Sequence, residues 1–204
     1  VRQQGDNQWR SGRRGRLTAS RFGDALAKHP TKRHRQLITD KVDELLGLAM
    51  FDNDDPPWFL HGKKLEPEAR GMYEWERGVE VYVPEDPIVH PDLDFVACSP
   101  DGLVGDDGGI EIKCRASISI WLRESKKGLD SVYRPQVQGN LWVTGREYWD
   151  FINYFRDWRA GGDIRRMAVE RVYRDDKYIA KLQQACNETW DQIQTELERR
   201  KCAS

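Results

Sequence analysis

Residues 95–115, FVACSPDGLVGDDGGIEIKCR, constrain the fold of this chain more than any other stretch. β-Branched runs flank Gly-Asp-Asp-Gly-Gly, which reads as strands joined by a tight turn. Along Ile110–Cys114 side chains alternate between faces, so Glu111 and Lys113 share one face and Ile112 points into the core. The hairpin brings Asp101 beside Glu111. Adjacent carboxylates repel unless a cation lies between them. Hard oxygen ligands in such a pair suit Mg²⁺, which keeps several waters and takes only one or two carboxylates. The Ile112 backbone carbonyl is a further candidate ligand. Lys113 would stand next to a water carried by the ion, placed to orient it, help deprotonate it or stabilise charge on a phosphate oxygen. Such a set suits metal-assisted phosphodiester hydrolysis. A surface hairpin with solvated charges would carry the same letters.

The neighbouring sequence adds candidates. Glu66, on a helix before the strands, offers a third carboxylate. Asp92 or Asp94 offers a fourth. Tyr133, Gln136 and Gln138 lie on the helix that follows, where neutral amides can hold phosphates or water without adding charge.

Periodicity places the rest. LTASRFGDALAK predicts a short helix capped by Thr18 or Ser20, with Phe22, Ala25 and Leu26 inward. Leu37, Ile38, Val42, Leu45 and Leu46 keep helical spacing. Residues 51–62 read as a loop. KKLEPEARGMYEWERG predicts a helix ending at Gly78, with Pro67 marking a first turn or a kink near Glu66. VEVYVPED predicts a strand, YRPQVQGNLWVTG a helix closed by Gly145, and YWDFINYF and MAVERVYRD two strands. The C-terminal segment predicts a long amphipathic helix with Ile179, Leu182, Cys186, Trp190, Ile193 and Leu197 on one face. The expected architecture is α/β: one domain over residues 1–204, with a central mixed sheet flanked by helices.

Charge is balanced overall, 33 Lys+Arg against 34 Asp+Glu, but the first 35 residues hold ten of the basic ones against Asp6 and Asp24. That is a basic head on a neutral body. The four cysteines form no CxxC pair and no apolar leader precedes the chain, so a reducing, cytoplasmic setting is expected. No run approaches the ~20 apolar residues needed to span a bilayer, so no membrane partner is expected.

The ordered series QGDNQWR, LTAS, HGKKLEPEAR, ACSPDGL, EIKC and YRPQVQGNLWVTGREYWDFINY resembles the phage lambda exonuclease family of viral-type recombinase nucleases, which have a restriction-endonuclease-like core. The resemblance covers most of the chain and is weakest in residues 28–58 and after 156. It implies that Asp101, Glu111 and the Ile112 carbonyl bind metal, with Asp92 as the upstream acidic residue and Asp94 the alternative. It implies Lys113 as the catalytic lysine, Glu66 as a helix glutamate near the metals, and Tyr133 and Gln136 on the active-site helix. Arg13 and Ser20 fall on the residues that bind a terminal 5′-phosphate. Phe59 falls on an apolar wedge between the strands of a duplex end, where the family example carries leucine.

The family's activity is processive 5′→3′ digestion of one strand of linear double-stranded DNA. It requires Mg²⁺, with Mn²⁺ expected to substitute, releases mononucleotides and leaves a 3′ tail. A homotrimer ring and a single-strand annealing protein are the implied partners. Two rivals stay open: an endonuclease of the same fold, and a DNA-end binding protein without catalysis. The Arg13–Ser20 pocket and the Phe59 wedge separate the first, and the complete Asp101, Glu111, Lys113 set argues against the second.

Overall fold

The computed structural model describes residues 7–27, 31–48, 57–157 and 163–203, with the backbone only at 7, 8 and 57–59. Among the described residues the larger sheet has five strands in the order β2 (Val81–Tyr82), β5 (Gly102–Val104), β6 (Gly108–Arg115), β7 (Tyr148–Asp157) and β8 (Ile164–Tyr173). β6 and β7 run parallel, and the other neighbours are antiparallel. A second, three-stranded sheet pairs β1 (Leu17–Thr18) with β4 (Val96–Cys98) in parallel and β4 with β3 (Ile88–Val89) antiparallel. The central mixed sheet expected from sequence is the five-stranded one, and the small second sheet stands apart from it. The break falls at Ser99–Pro100–Asp101, where proline has no N–H to continue a ladder. VEVYVPED shortens for a related reason: only Val81–Tyr82 pair before Pro84.

The helices are α1 (Asn7–Arg13), α2 (Phe22–Ala25), α3 (Lys32–Leu45), α4 (Pro57–Arg77), α5 (Ile118–Lys127), α6 (Arg134–Thr144) and α7 (Asp176–Cys202). α4 covers one face of the larger sheet through Leu65, Ala69 and Tyr73, packed with Ile110, Ile112, Ile152 and Tyr154. On the other face Leu141 and Trp142 of α6 and Ile179, Leu182 and Ile193 of α7 join Phe22, Trp149 and Phe151. β6 and β7, between them, are largely buried on both faces, as a layered α/β core requires, whereas β8 at the edge is not.

Several expectations change. α4 begins at Pro57, so the predicted loop 51–62 gives up its last six residues, and its earlier part lies outside the described residues. Pro67 sits inside α4, ten residues after its start. Neither Thr18 nor Ser20 caps a helix. Thr18 is in β1, and the short turn Ala19–Arg21 that follows has no side-chain cap. Leu37 and Val42 of α3 are buried, but Leu45 is 40% exposed. It lies over Gly15, whose φ of +71° and absent Cβ leave room for it. α5 was not anticipated, because its SISI start reads as β-branched. Ser117 caps it by accepting from Ile120 N. Gly78 and Gly145 close α4 and α6 with φ of +63° and +70°. Among the described residues no helix is long and apolar enough to cross a membrane.

Candidate active site

β6 presents Glu111, Lys113 and Arg115 on one face, since side chains two apart point the same way. Lys113 Nζ lies 2.6 Å from Glu111 Oε1. α6 crosses this face and adds two amides one helical turn apart. Gln136 Nε2 donates to Glu111 Oε1 at 2.6 Å, and Asn140 Nδ2 donates to Oε2 at 3.2 Å. Gln136 Oε1 also accepts from Lys113 Nζ at 3.4 Å. Glu111 is buried and held on both oxygens. Tyr133, at the start of α6, places its ring 5.3 Å from Lys113 Nζ.

Asp101 reaches the same place from the next strand. In the β5–β6 register Gly102 faces Ile110, so Asp101 stands just before the first residue of β5. There its Oδ2 accepts from Ile112 N at 2.6 Å, taking the place of a ladder bond. Within a strand, the N–H and C=O of one residue point to the same side. The Ile112 carbonyl therefore also faces Asp101. From α4, Arg70 Nε donates to the Asp101 backbone oxygen at 3.2 Å, and Glu66 lies one turn earlier.

The electrostatics follow from crowding three carboxylates out of water. Burial, then Glu111 and Glu66, push the Asp101 carboxyl well above the ordinary range, against Lys113 and the Ile112 N–H. Glu66 is pushed up by burial and then by Glu111. Burial pulls the Lys113 ammonium down, but Glu111 and Asp101 outweigh it and hold it above its ordinary value. Burial, then Glu66 and Asp101, push the Cys114 thiol up to about 12, so it stays protonated near neutrality and is no nucleophile.

Beside this cluster lies a hydroxyl-lined arginine. Arg13 Nη1 donates to Ser99 Oγ at 2.9 Å, and Nη2 donates to Thr18 Oγ1 at 3.1 Å and Ser20 Oγ at 3.2 Å. Its guanidinium stacks 4.4 Å over the Trp9 ring. Burial lowers its pKa to about 10, opposed by Cys98, Glu44 and Glu111, so it remains cationic at neutral pH. Arg13 is thus no solvated arm. A cleft of about 540 Å³ opens from Ser20 past Gly23, Lys32 and Arg33 to Tyr133 and Gln136.

Not every sequence candidate is part of this arrangement. Gln138 faces away. Its Nε2 donates to Tyr173 O at 2.8 Å and its Oε1 accepts from Asp175 N at 2.9 Å, tying α6 to the start of α7. Two residues along a helix turn a side chain to the opposite side, whereas four bring it back. Asn140, not Gln138, shares the Gln136 face. Asp92 and Asp94 are exposed in the turn between β3 and β4, at the far end of β4 from Ser99 and Asp101, so neither carboxylate joins the cluster. Phe59 starts α4, and its side chain lies outside the described residues. Asn140, Arg115, Thr18 and Ser99 were missed. Helical spacing from Gln136 and strand alternation from Lys113 signal the first two.

Among the described residues no three His, Cys, Asp or Glu side chains converge closely enough to cage an ion unaided. The candidate oxygens are those of Asp101 and Glu111, whose charges act on one another together with that of Glu66, and the Ile112 carbonyl on the Asp101 side of β6. A set with two carboxylates and one carbonyl fits a hard dication that brings its own waters.

Residues 8–147 match the model of the YqaJ-like viral recombinase domain. The alkaline exonuclease LHK-Exo from Laribacter hongkongensis is 30% identical, with a TM-score of 0.84 over 97% of this chain and 98% of that one. LHK-Exo in complex with dAMP is 31% identical, with a TM-score of 0.83 over the same shares. A phage-related exonuclease from Haemophilus somnus 129PT shares the fold, with a TM-score of 0.67 and 16% identity over 89% of this chain and 96% of that one. No curated protein matches the chain. The mixed sheet with helices on both faces is the restriction-endonuclease-like fold of these exonucleases.

Proposed function

The chain belongs to the YqaJ-like viral recombinase family, and on that premise we propose that it is a Mg²⁺-dependent 5′→3′ exonuclease on linear double-stranded DNA. It removes one strand processively, releases mononucleotides and leaves a 3′ tail for strand annealing in the host cytoplasm. The observation that carries the reading is the convergence of Asp101, Glu111 and Lys113 where β5 stops pairing with β6. Similarity to LHK-Exo, an alkaline exonuclease known in complex with dAMP, supports the reaction class and a mononucleotide product.

Asp101, Glu111 and the Ile112 carbonyl would hold Mg²⁺ or Mn²⁺, which supplies Lewis-acid polarisation of the phosphate and lowers the pKa of water. The chain's own groups do the rest. Lys113 orients the attacking water and meets charge developing on the phosphate oxygens. Gln136 and Asn140 fix the Glu111 carboxylate so that it needs no reorganisation. Arg13, with Thr18, Ser20 and Ser99, binds the terminal 5′-phosphate through charge-assisted contacts that position the strand and read no sequence. Phe59 separates the duplex end. A homotrimer ring around the duplex would supply processivity, and a single-strand annealing protein would take the tail.

The deciding experiment compares three duplexes with Mg²⁺: linear with 5′-phosphate, linear with 5′-hydroxyl, and covalently closed circular. Rapid loss of one strand from the 5′-phosphorylated duplex with the circle intact is expected. A cut circle would replace the reading with an endonuclease, and no cleavage of any duplex would leave a DNA-end binding protein.

A further inference from the structure

Arg115 is the third residue of the Glu111–Lys113 face, and it is buried. Nε and Nη2 both donate to Asn153 Oδ1 on β7, at 2.8 and 2.6 Å. Nη2 also lies 2.6 Å from Glu124 Oε2 of α5, a charge contact rather than a directed hydrogen bond. Nη1 donates to the Tyr133 hydroxyl at 3.1 Å. The Tyr133 ring has Arg115 Cζ and Lys113 Nζ each 5.3 Å from its centroid.

A guanidinium has donors and no acceptor. At this contact the Tyr133 oxygen must accept, so its own proton is offered elsewhere. Tyr133 also borders a tight hollow with Arg115, Glu124 and Asn153 that has no room for water, so its open side is the cleft it shares with Ser20 and Gln136, which Arg115 does not line. We infer that Arg115 is a positioning residue: it makes Tyr133 a hydrogen-bond donor aimed at a substrate phosphate oxygen in the cleft, and it acts only through that phenol. Arginine suits the task because its planar fork holds Asn153 while another N–H remains for Tyr133. Accepting one hydrogen bond strengthens the one a hydroxyl donates. The network also crosses three elements, β6, β7 and α5, which fixes the phenol's direction. The inference rests on the nuclease reading above.

The test is a double-variant cycle on a 5′-phosphorylated linear duplex. Arg115→Met is made together with Glu124→Gln, so that no buried carboxylate is left alone, and Arg115→Lys is the conservative variant. Expected are a ~10-fold fall in kcat for Arg115→Met or Tyr133→Phe, KM within ~2-fold, partial rescue by Arg115→Lys, and less than ~2-fold further loss when Met and Phe are combined. A multiplicative ~100-fold fall in the combined variant would overturn the inference. So would a lower Tm with kcat intact, which would make Arg115 a folding residue alone. A readout independent of cleavage is the ¹³C resonance of tyrosine Cζ at position 133, assigned with Tyr133→Phe. It is expected to move in both Arg115 variants. An unmoved resonance overturns the inference even if the parent cuts no DNA, which would separately overturn the nuclease reading.

Discussion

Lys113 Nζ and Glu111 Oε1 stand 2.6 Å apart across two residues of one strand, with the lysine side chain still 25% exposed. The pair therefore joins a buried anion to a cation that substrate can reach. Replacing Lys113 by alanine is expected to lower kcat by ~10²–10³-fold, the scale of losing one preorganised charge-stabilising donor. Duplex binding in EDTA should persist, and parental turnover in the variant would remove Lys113 from the chemistry.

Asp101→Asn keeps an oxygen for the Ile112 N–H, which its Oδ2 now bonds at 2.6 Å, but loses the anionic charge. The fold should survive and Mg²⁺ affinity should fall. In the parent, Mg²⁺ at a hundredfold excess over Kd is expected to add about 2.7 kcal/mol of stability, read as a rise in Tm. Calorimetric titration showing equal affinity in variant and parent would take Asp101 out of the metal set.

Arg13→Ala removes the cation shared by Thr18, Ser20 and Ser99. A hydrogen bond to a charged group contributes about 1.5–3 kcal/mol, so the preference for 5′-phosphate over 5′-hydroxyl ends should shrink by ~10–100-fold in kcat/KM. Since burial brings the Arg13 pKa only to about 10, the parental preference should hold up to that pH and fade above it. A preference that ignores both the variant and the pH would detach Arg13 from the phosphate.

Stability in acid should report a different carboxylate. Asp150 on β7 accepts from Tyr73 OH at 2.7 Å and from Arg171 Nε and Nη2 at 2.8 and 2.9 Å. Burial alone would push it up, but the bonds from Arg171 and Tyr73 prevail and hold it below its ordinary 3.8. A depressed folded value means that the stabilisation is present above the unfolded pKa and lost as pH falls through the folded one. Asp150→Asn should therefore lower stability at pH 7 and flatten the part of the acid limb below about pH 4. An unchanged limb in urea melts across that range would show that Asp150 has no part in it.

What the sequence shows here is what is local. Alternation in Ile110–Cys114 and glycine at residue 105 and at Gly108–Gly109 are enough to place Glu111, Lys113 and Asp101 at one hairpin edge, because a strand's period and a turn's backbone are set by neighbouring residues. The long α7 was legible for the same reason. The choice of Asp92 comes from the family resemblance, and nothing local in the sequence shows that its side chain stays exposed in the turn before β4. Gln138 lies near Gln136 in sequence but on the other side of α6, and Asn140, one helical turn on, is the residue that shares the site. Arg115 was invisible for a deeper reason: its partners Asn153, Glu124 and Tyr133 come together only when β6 pairs in parallel with β7 and α5 folds over both.

The break between the two sheets has one more effect. Ser99, which holds Arg13, and Asp101, which meets Ile112, are separated by a single proline. Two extended residues span about 7 Å at most, and the ring of Pro100 stiffens that span. If Arg13 marks the strand's end and Asp101 its point of cleavage, a short stretch of backbone and one hydrogen bond from Arg13 to Ser99 together gauge the size of the excised unit. Such a gauge would deliver pieces of constant length whatever bases they carry. Inserting one residue after Ser99 should then change the length distribution of the fragments released, not merely their rate.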